Sequence, residues 1–434
     1  MEVIDFFVNQ QAEMPLLVKN KIKSIKKSRF IFSSINKSIS NFKKGKGQRI
    51  VLLHGLRGTG KTTLLLQIYK KYKEKLNIFY ISGDALLSHN IDFEDVILTL
   101  DRLNKHKIGL DKKFILLVDE VTYIQRWDLK FKVWIDQRPN LMMIATSSSS
   151  LGLKNSKELT RRAKNIPIFP LSFREYLAVK YNISIPDSFS DRLRKKIFNN
   201  ILPESEYIKV FSYLKDYNLT ALYKEYTRND LPFSLEVSNE KEYEQAIKRM
   251  IKRVVYEDFP RFANLEAKIL QKAEQMIYFI STIPSDGVKI QTISETIGIS
   301  KETVTKLLNL FEQAMVIKGV SCQGRKRSFK KPLKWFFYSP SLRLALSSFW
   351  GVTSDLIGNL REDSVFLVLS QFDKDIFYSH GIDFIIEDIG FEVGKKKKIK
   401  KIRSSESKFK IFILSAEEGI EQNKIPLSLF ALSI

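Results

Sequence analysis

One short block near position 55 constrains this chain more than any other. An apolar run, Ile50 to Leu53, leads into His54-Gly55-Leu56-Arg57-Gly58-Thr59-Gly60-Lys61-Thr62-Thr63, and a helix-favouring stretch follows. That order reads as a β-strand, a glycine turn and a helix whose N-terminus faces the turn. The glycines let successive backbone N–H groups converge on one point. Converging amides, a helix N-terminus and a lysine suit a polyvalent anion, a chain of phosphates foremost. Lys61 is spaced to reach the outer phosphates, and the Thr62 hydroxyl to ligate a magnesium ion held by them. Such a unit works at the carboxyl edge of a sheet, so an α/β fold with parallel strands is expected.

The next hundred residues meet that expectation. Asn77 to Ser82 (NIFYIS), Lys113 to Glu120 (KFILLVDE) and Leu141 to Ser147 (LMMIATS) read as further strands. Helices are expected from Lys61 to about Lys75, over FEDVILTLDRLNKH and over DLKFKVWIDQ. The continuous apolar runs are those of strands buried on both faces. Asp119 and Glu120 close the third strand. Asp119 belongs at the carboxyl edge near the metal, and Glu120 where it polarises an attacking water. Taken alone, an Asp-Glu pair is no more than a strand running into a loop. Ser147 ends the fourth strand at the same edge, in reach of the last phosphate or the water.

Composition narrows the partners. The 434 residues carry a formal net charge of +24, which points to a polyanion, nucleic acid before a membrane surface. A solvated lysine-rich surface is the plainer alternative. No acid occurs from Met14 to Lys73, and KNKIKSIKKSRF (Lys19 to Phe30) reads either as a phosphate-binding edge or as a solvated amphipathic helix. The single cysteine, Cys322, excludes an internal disulfide, and four scattered histidines leave no Cys/His zinc site. No apolar run approaches the ~18 residues of a membrane span. The first residues, MEVIDFFVNQ, lack the basic start of a signal peptide, so a cytoplasmic protein is expected.

Beyond Phe173 the pattern is helical for about a hundred residues. Gln291 to Val320 then has helix-turn-helix spacing, with a GIS turn at Gly298 to Ser300 and Ser300 capping the second helix. In a DNA-binding unit that helix would offer Lys301, Thr303, Thr305 and Lys306 to the major groove. The following hairpin carries Arg325, Lys326, Arg327, Lys330 and Lys331, which suit phosphates. The alternative is a lid or a protein contact. The last block, Glu362 to Ile434, alternates strands with loops.

GLRGTGKTT, VDEVTYIQRW, IATSSSS, ELTRR and FPLSFREYL occur here in the order seen in a group of prokaryotic, largely archaeal, AAA+-like P-loop ATPases, and the chain resembles that group. The resemblance is strong over Ile50 to Leu177 and looser beyond. It implies a winged helix (271–338) and a smaller restriction-endonuclease-like α/β domain (339–434), which with the residue pattern divide the chain into a basic N-terminal arm (1–45), a P-loop ATPase core (46–178), a helical lid (179–270) and these two. It implies ATP and Mg²⁺ as cofactors. Gly55, Gly58, Thr59, Gly60, Lys61, Thr62 and Thr63 would bind the nucleotide, Thr62 and Asp119 the metal, with Glu120 as the base. Relatives end the sensor strand Thr-Gly-Ser-Ser, whereas this chain has Ala145-Thr-Ser147-Ser148. Ser147 is the best match. Where relatives have Gly-Arg, this chain has Arg161-Arg162, so Arg162 is the candidate arginine finger.

Glu362, Asp383, Glu392 and Lys395 match an endonuclease-like set, with one departure. FEVGK spaces Glu392 and Lys395 by three, and residues three apart on a regular strand face opposite ways. Gly394 would have to form a bulge to bring Lys395 back. The expectation is a Mg²⁺-dependent ATPase acting on nucleic acid, DNA before RNA, with a homo-oligomer or a protein partner open. An ATP-dependent DNA nuclease and a signalling switch that gates a protein partner are the rival readings.

Overall fold

The computed structural model describes residues 3–22, 27–107, 112–148, 159, 161–285, 288–324, 333–348, 356–394, 409–421 and 423–434. The chain divides into two compact units, Met1–Ile168 and Phe169–Ile434. Among the described residues no helix is long and apolar enough to cross a membrane.

The first unit is a five-stranded sheet between two helical layers. β1 (Ile50–His54), β2 (Asn77–Ser82), β3 (Phe114–Asp119), β4 (Leu141–Ser147) and β5 (Ala163–Pro167) lie in the order β2-β3-β4-β1-β5. Every pairing is parallel. The side chains alternate as the pleat requires. Leu116, Val118, Met143 and Ala145 enter one core with α5 (Phe93–Lys107) and α6 (Trp127–Gln137). Ile115, Leu117, Met142 and Ile144 enter the other with α2 (Ile31–Lys43) and α3 (Lys61–Tyr72). A short α4 (Gly83–Ser88) follows β2. Four of the strands are those read from the sequence. The fifth, β5, is not, because its five residues AKNIP bury only Ala163 and Ile166 and carry no apolar run.

Residues 3–22 and 31–43 contribute side chains to the two cores of the first unit. α1 (Val3–Ile22) runs along β2, the open edge of the sheet, and feeds both cores: Phe6 and Phe7 into one, Met14 and Ile22 into the other. Gln11 completes the edge. Its Nε2 donates to the Tyr80 carbonyl at 2.7 Å and its Oε1 accepts from the Tyr80 N–H at 3.1 Å. One side-chain amide thus occupies backbone groups that would otherwise invite a foreign strand. In the basic segment, Arg29 Nη1 donates to the Thr59 carbonyl of the glycine turn at 2.9 Å.

The second unit opens with helices. FPLSFREYL starts α7 (Phe173–Lys180) through a full capping box between Ser172 and Glu175. There follow α8 (Asp187–Phe198), α9 (Glu204–Tyr213), α10 (Leu219–Arg228), α11 (Glu240–Arg253), α12 (Phe259–Phe262) and α13 (Ala267–Thr282). α14 (Ile290–Ile297) and α15 (Lys301–Gln313) then meet at the expected turn. Gly298 takes a left-handed φ of 72°, and Ser300 Oγ accepts from the Thr303 N–H at 3.1 Å. β6 (Ile317–Cys322) and β7 (Lys334–Phe337) form the antiparallel hairpin. α16 (Pro340–Ser347), α17 (Ile357–Leu369), β8 (Phe377–Ser379), β9 (Ile382–Ile386), β10 (Ile389–Val393), β11 (Lys410–Ser415), β12 (Lys424–Pro426) and α18 (Leu427–Phe430) complete the chain.

The hairpin and the tail share one mixed sheet, ordered β12-β11-β10-β9-β8-β6-β7. One apolar core joins Phe173 and Tyr226 of the helical segment, Val320 and Phe336 of the hairpin, and Phe384 and Phe412 of the tail. The segments 179–270, 271–338 and 339–434 therefore pack around common residues. A buried ion pair pins the centre. Arg343 and Asp363, both fully buried, pair directly, and Arg343 Nη2 also donates to the Trp335 carbonyl at 3.0 Å.

Candidate nucleotide site and the second carboxylate cluster

The glycine turn is built at the mouth of β1. Gly55 has no room for a side chain, since a Cβ there would stand 2.2 Å from the Ile168 carbonyl oxygen. Gly58 and Gly60 turn the loop with φ of 80° and 85°, values that favour glycine. Thr59 is fully buried and donates from Oγ1 to the Leu56 carbonyl at 2.9 Å. α3 begins at Lys61 with no side-chain cap, which leaves its first-turn amides to a ligand. Lys61 is 5% exposed, and its ammonium donates to the Gly55 and Leu56 carbonyls at 3.0 and 2.9 Å. The charge is thus held over the loop that a phosphate chain would enter. Thr62 and Thr63 are half-buried on the first turn.

The carboxylates arrive by strand register. Val118 pairs with Ala145, Ser82 with Asp119 and His54 with Ser147, so these strand ends share one edge. Asp119 is 5% exposed and doubly held. Its Oδ2 accepts from the Tyr80 hydroxyl at 3.0 Å, and its Oδ1 from the Thr146 hydroxyl. Thr146 in turn accepts from the Glu120 N–H at 2.8 Å. That relay fixes the Thr146 proton towards Asp119. Burial first, and then the charge of Asp119, push the Tyr80 phenol far above its ordinary range, so it stays a donor. Thr62 and Asp119 supply a hydroxyl and a carboxylate, the hard oxygen donors that magnesium takes beside phosphate oxygens.

Glu120 stands in a left-handed conformation, φ 50°, which is uncommon for a residue with a Cβ. Its carbonyl is packed against Gly83, where a Cβ would lie 2.5 Å from the Glu120 oxygen. Its Oε2 accepts from the Ser148 N–H at 3.2 Å. Ser147, the residue read from sequence, is 2% exposed at this edge, and Thr146 and Ser148 on either side of it contact the carboxylates. Register brings Thr146 to Asp119. With Val118 opposite Ala145, Asp119 comes level with Thr146, a pairing available once the two strands are aligned. Tyr80 carried no motif and was missed; Arg29 falls within the basic segment Lys19 to Phe30 but was not singled out.

Arg162 is not at this edge. It immediately precedes Ala163, which pairs with Ile50 at the start of β1. The turn follows the other end of β1, roughly 15 Å of strand away. Arg162 Nη1 is ion-paired to Asp136 Oδ2 at 2.6 Å. Arg162 thus stands by the start of β1, and the glycine turn follows its other end.

In the second unit, Lys301 and Lys306 are exposed and Thr303 and Thr305 half-buried on α15. Arg325, Lys326, Arg327, Lys330 and Lys331 lie outside the described residues, as does Lys395. Asp383 is 5% exposed on β9; its Oδ2 accepts from the Val393 N–H at 2.9 Å. Its Oδ1 meets Lys334 Nζ at 3.1 Å, a lysine from β7 that the sequence reading did not single out. Glu362 on α17 is raised to about 7, by burial first and then by the negative charge of Asp383. Glu392 is 2% exposed on β10, one residue beyond the pairing of Phe391 with Phe384. Gly394 takes a φ of 142°, reserved for glycine, at the point where a bulge was expected. Among the described residues, no group of three or more His, Cys, Asp or Glu is placed to hold a metal ion.

An all-parallel sheet with the glycine turn, buried lysine and strand-end acid at its carboxyl edge defines a P-loop NTPase fold. A family model described as "AAA domain" matches residues 47–177. A second, "Domain of unknown function (DUF8612)", matches residues 231–351. The chain is 31% identical over 421 residues to "Uncharacterized protein MJ1637" of Methanocaldococcus jannaschii, covering 92% of this chain and 86% of that one. It belongs to the same family as that archaeal protein. Among solved structures it is similar to the Thermotoga maritima RuvB Holliday junction branch migration motor (15% identity, 70% of this chain and 90% of that one, TM-score 0.28). It is also similar to AMPPCP-bound DnaA from Aquifex aeolicus (15% identity, 68% and 91%, TM-score 0.28).

Proposed function

We propose that this protein is a magnesium-dependent ATPase whose nucleotide state repositions a winged-helix segment and the basic C-terminal region on nucleic acid, DNA in particular. The observation that carries the ATPase reading is the joined site, in which the Lys61 loop and the Asp119-Thr146-Glu120 relay meet at one sheet edge. The turn amides and Lys61 would bind the β- and γ-phosphates, trading loop carbonyls for phosphate oxygens. Thr62 and Asp119 would hold magnesium, which when bound offsets charge on the transferring phosphoryl group. Tyr80 and Thr146 orient Asp119, and Glu120 orients the attacking water. Arg162 would complete the site of a neighbouring copy, which makes the active species an assembly.

The nucleic-acid reading rests on α13 to α15, on the bridge between Val288 and Leu333 beside the β6–β7 hairpin, and on the net charge of +24. That arrangement supports a winged helix with Lys301 and Lys306 outermost. Binding of labelled ATP with magnesium, and its loss in Lys61→Ala, tests the first part. Undiminished uptake by Lys61→Ala would end it. Turnover with and without duplex DNA tests the second. Contact with about six phosphates should give a log–log salt slope near −5; no DNA effect at moderate salt would favour the switch that gates a protein partner. The approach of Lys334 to Asp383 favours the nuclease as a second reading. It requires magnesium-dependent cleavage that disappears in Asp383→Ala.

A further inference from the structure

A cavity of about 290 Å³ opens in the second unit between α10, the first turn of α17 and the start of α18. One wall is a helical stripe, Thr220, Tyr223, Lys224, Thr227 and Arg228, spaced i, i+3, i+4, i+7 and i+8. The facing wall is Ile357, Leu360 and Arg361, and Leu427 and Ser428 add to the lining. Tyr223, Leu427 and Ser428 are buried, while Lys224 and Arg228 reach the surface. The Tyr223 hydroxyl is taken by Ser364 Oγ at 2.7 Å, so its ring is held in place.

Three cations and no carboxylate line this space. Two acids stand nearby, and each is engaged: Glu240 accepts from Arg228 at 3.0 Å, and Glu418 from Thr220 at 2.9 Å. The side chains of Lys224 and Arg361 have no hydrogen bond or ion pair among the described residues. Two helices therefore bring a lysine and an arginine to one apolar cavity without supplying a counter-charge.

We propose that this cavity binds a phosphate-bearing group with a flat or apolar body, the size of one nucleotide. Lys224 and Arg361 would take the phosphate, since a compact ammonium and a forked guanidinium together satisfy its oxygens. The Tyr223 ring, Leu360 and Leu427 would cover the body. The volume lies near the lower end for small-ligand pockets, which suits one such unit rather than two. The group has two possible sources: a free mononucleotide, or one residue of a nucleic-acid strand. The site shares no residue with the glycine turn, and the inference holds whether or not the first unit hydrolyses ATP.

Calorimetric titration of the full chain with AMP and, separately, with a single-stranded oligonucleotide tests it. Lys224→Ala and Arg361→Ala should each weaken the probe that occupies the cavity by about tenfold or more. Leu360→Trp, which fills the space, should do the same. A response with AMP identifies a free nucleotide; a response confined to the oligonucleotide identifies a strand. Thermal melting confirms that each variant is folded. If an alanine variant melts early, Lys224→Gln and Arg361→Gln keep the packing stem and replace it. Wild-type binding of neither probe, or folded variants that bind as tightly as wild type, would overturn the proposal.

Discussion

The two sheets assemble carboxylates in different ways. In the first, every strand runs the same direction, so each strand delivers its last residue and the following loop to one edge. Asp119, Ser147 and the glycine turn meet because their strands are parallel and aligned. In the second, the sheet is mixed, and Asp383 finds its partners sideways: Lys334 on β7, the Val393 amide and Glu362 on a helix. A parallel edge collects residues that sequence motifs already mark as strand ends. A mixed sheet collects residues whose only relation is their place in the tertiary structure.

The sharpest test of that contrast concerns Arg162, the one residue that the parallel edge does not collect. Arg162→Ala should lower ATP hydrolysis by about 10³ to 10⁵ if it serves a neighbouring copy. Mixing Arg162→Ala with Lys61→Ala should then restore turnover, because each supplies what the other lacks. No recovery in the mixture would break the trans assignment. Glu120→Gln should lower hydrolysis by about 10² to 10⁴ while magnesium–ATP binding, read by titration calorimetry, is kept. Loss of binding would mean that Glu120 chiefly holds the loop.

Two further substitutions address the second unit. Asp363→Ala strands Arg343 in a fully buried place and should cost about 3–5 kcal/mol in chemical denaturation. ATP binding by the first unit should persist at denaturant concentrations where the second has melted. Asp230 gives a smaller effect with a pH signature. It is fully buried; its Oδ1 accepts from Ser339 Oγ at 2.9 Å, and burial raises its pKa to about 7. The folded state therefore keeps a proton that the unfolded chain, near 4, has lost. This contribution to stability is full below pH 4 and disappears as pH rises to about 7. Asp230→Asn should flatten that decline and be more stable than wild type at pH 8, by on the order of 2–4 kcal/mol. Parallel pH–stability curves for the two proteins would refute the assignment.

Legibility followed the same division. Gly55 to Thr62 could be read because a phosphate loop is contiguous, and Asp119 because an apolar strand ended in an acid. The turn between α14 and α15 was legible from Gly298 and Ser300, whose roles are local. β5 was missed because an edge strand of five residues needs no continuous apolar run. That Tyr80 and Thr146 hold Asp119 was not legible, because nothing in their own neighbourhood says so.

The sequence by itself determined the phosphate loop, the strand-end carboxylates, the alternating core of the first sheet and the turn chemistry of the second unit. These depend on interactions within a few residues, where backbone geometry and side-chain period are enough. Only the tertiary structure decided that the first helix seals the sheet edge through Gln11, and that Arg162 lies at the far end of β1. It alone placed Lys334 beside Asp383, and Lys224 and Arg361 around one cavity. Those outcomes depend on strand order and register, which long-range packing sets and no local pattern encodes.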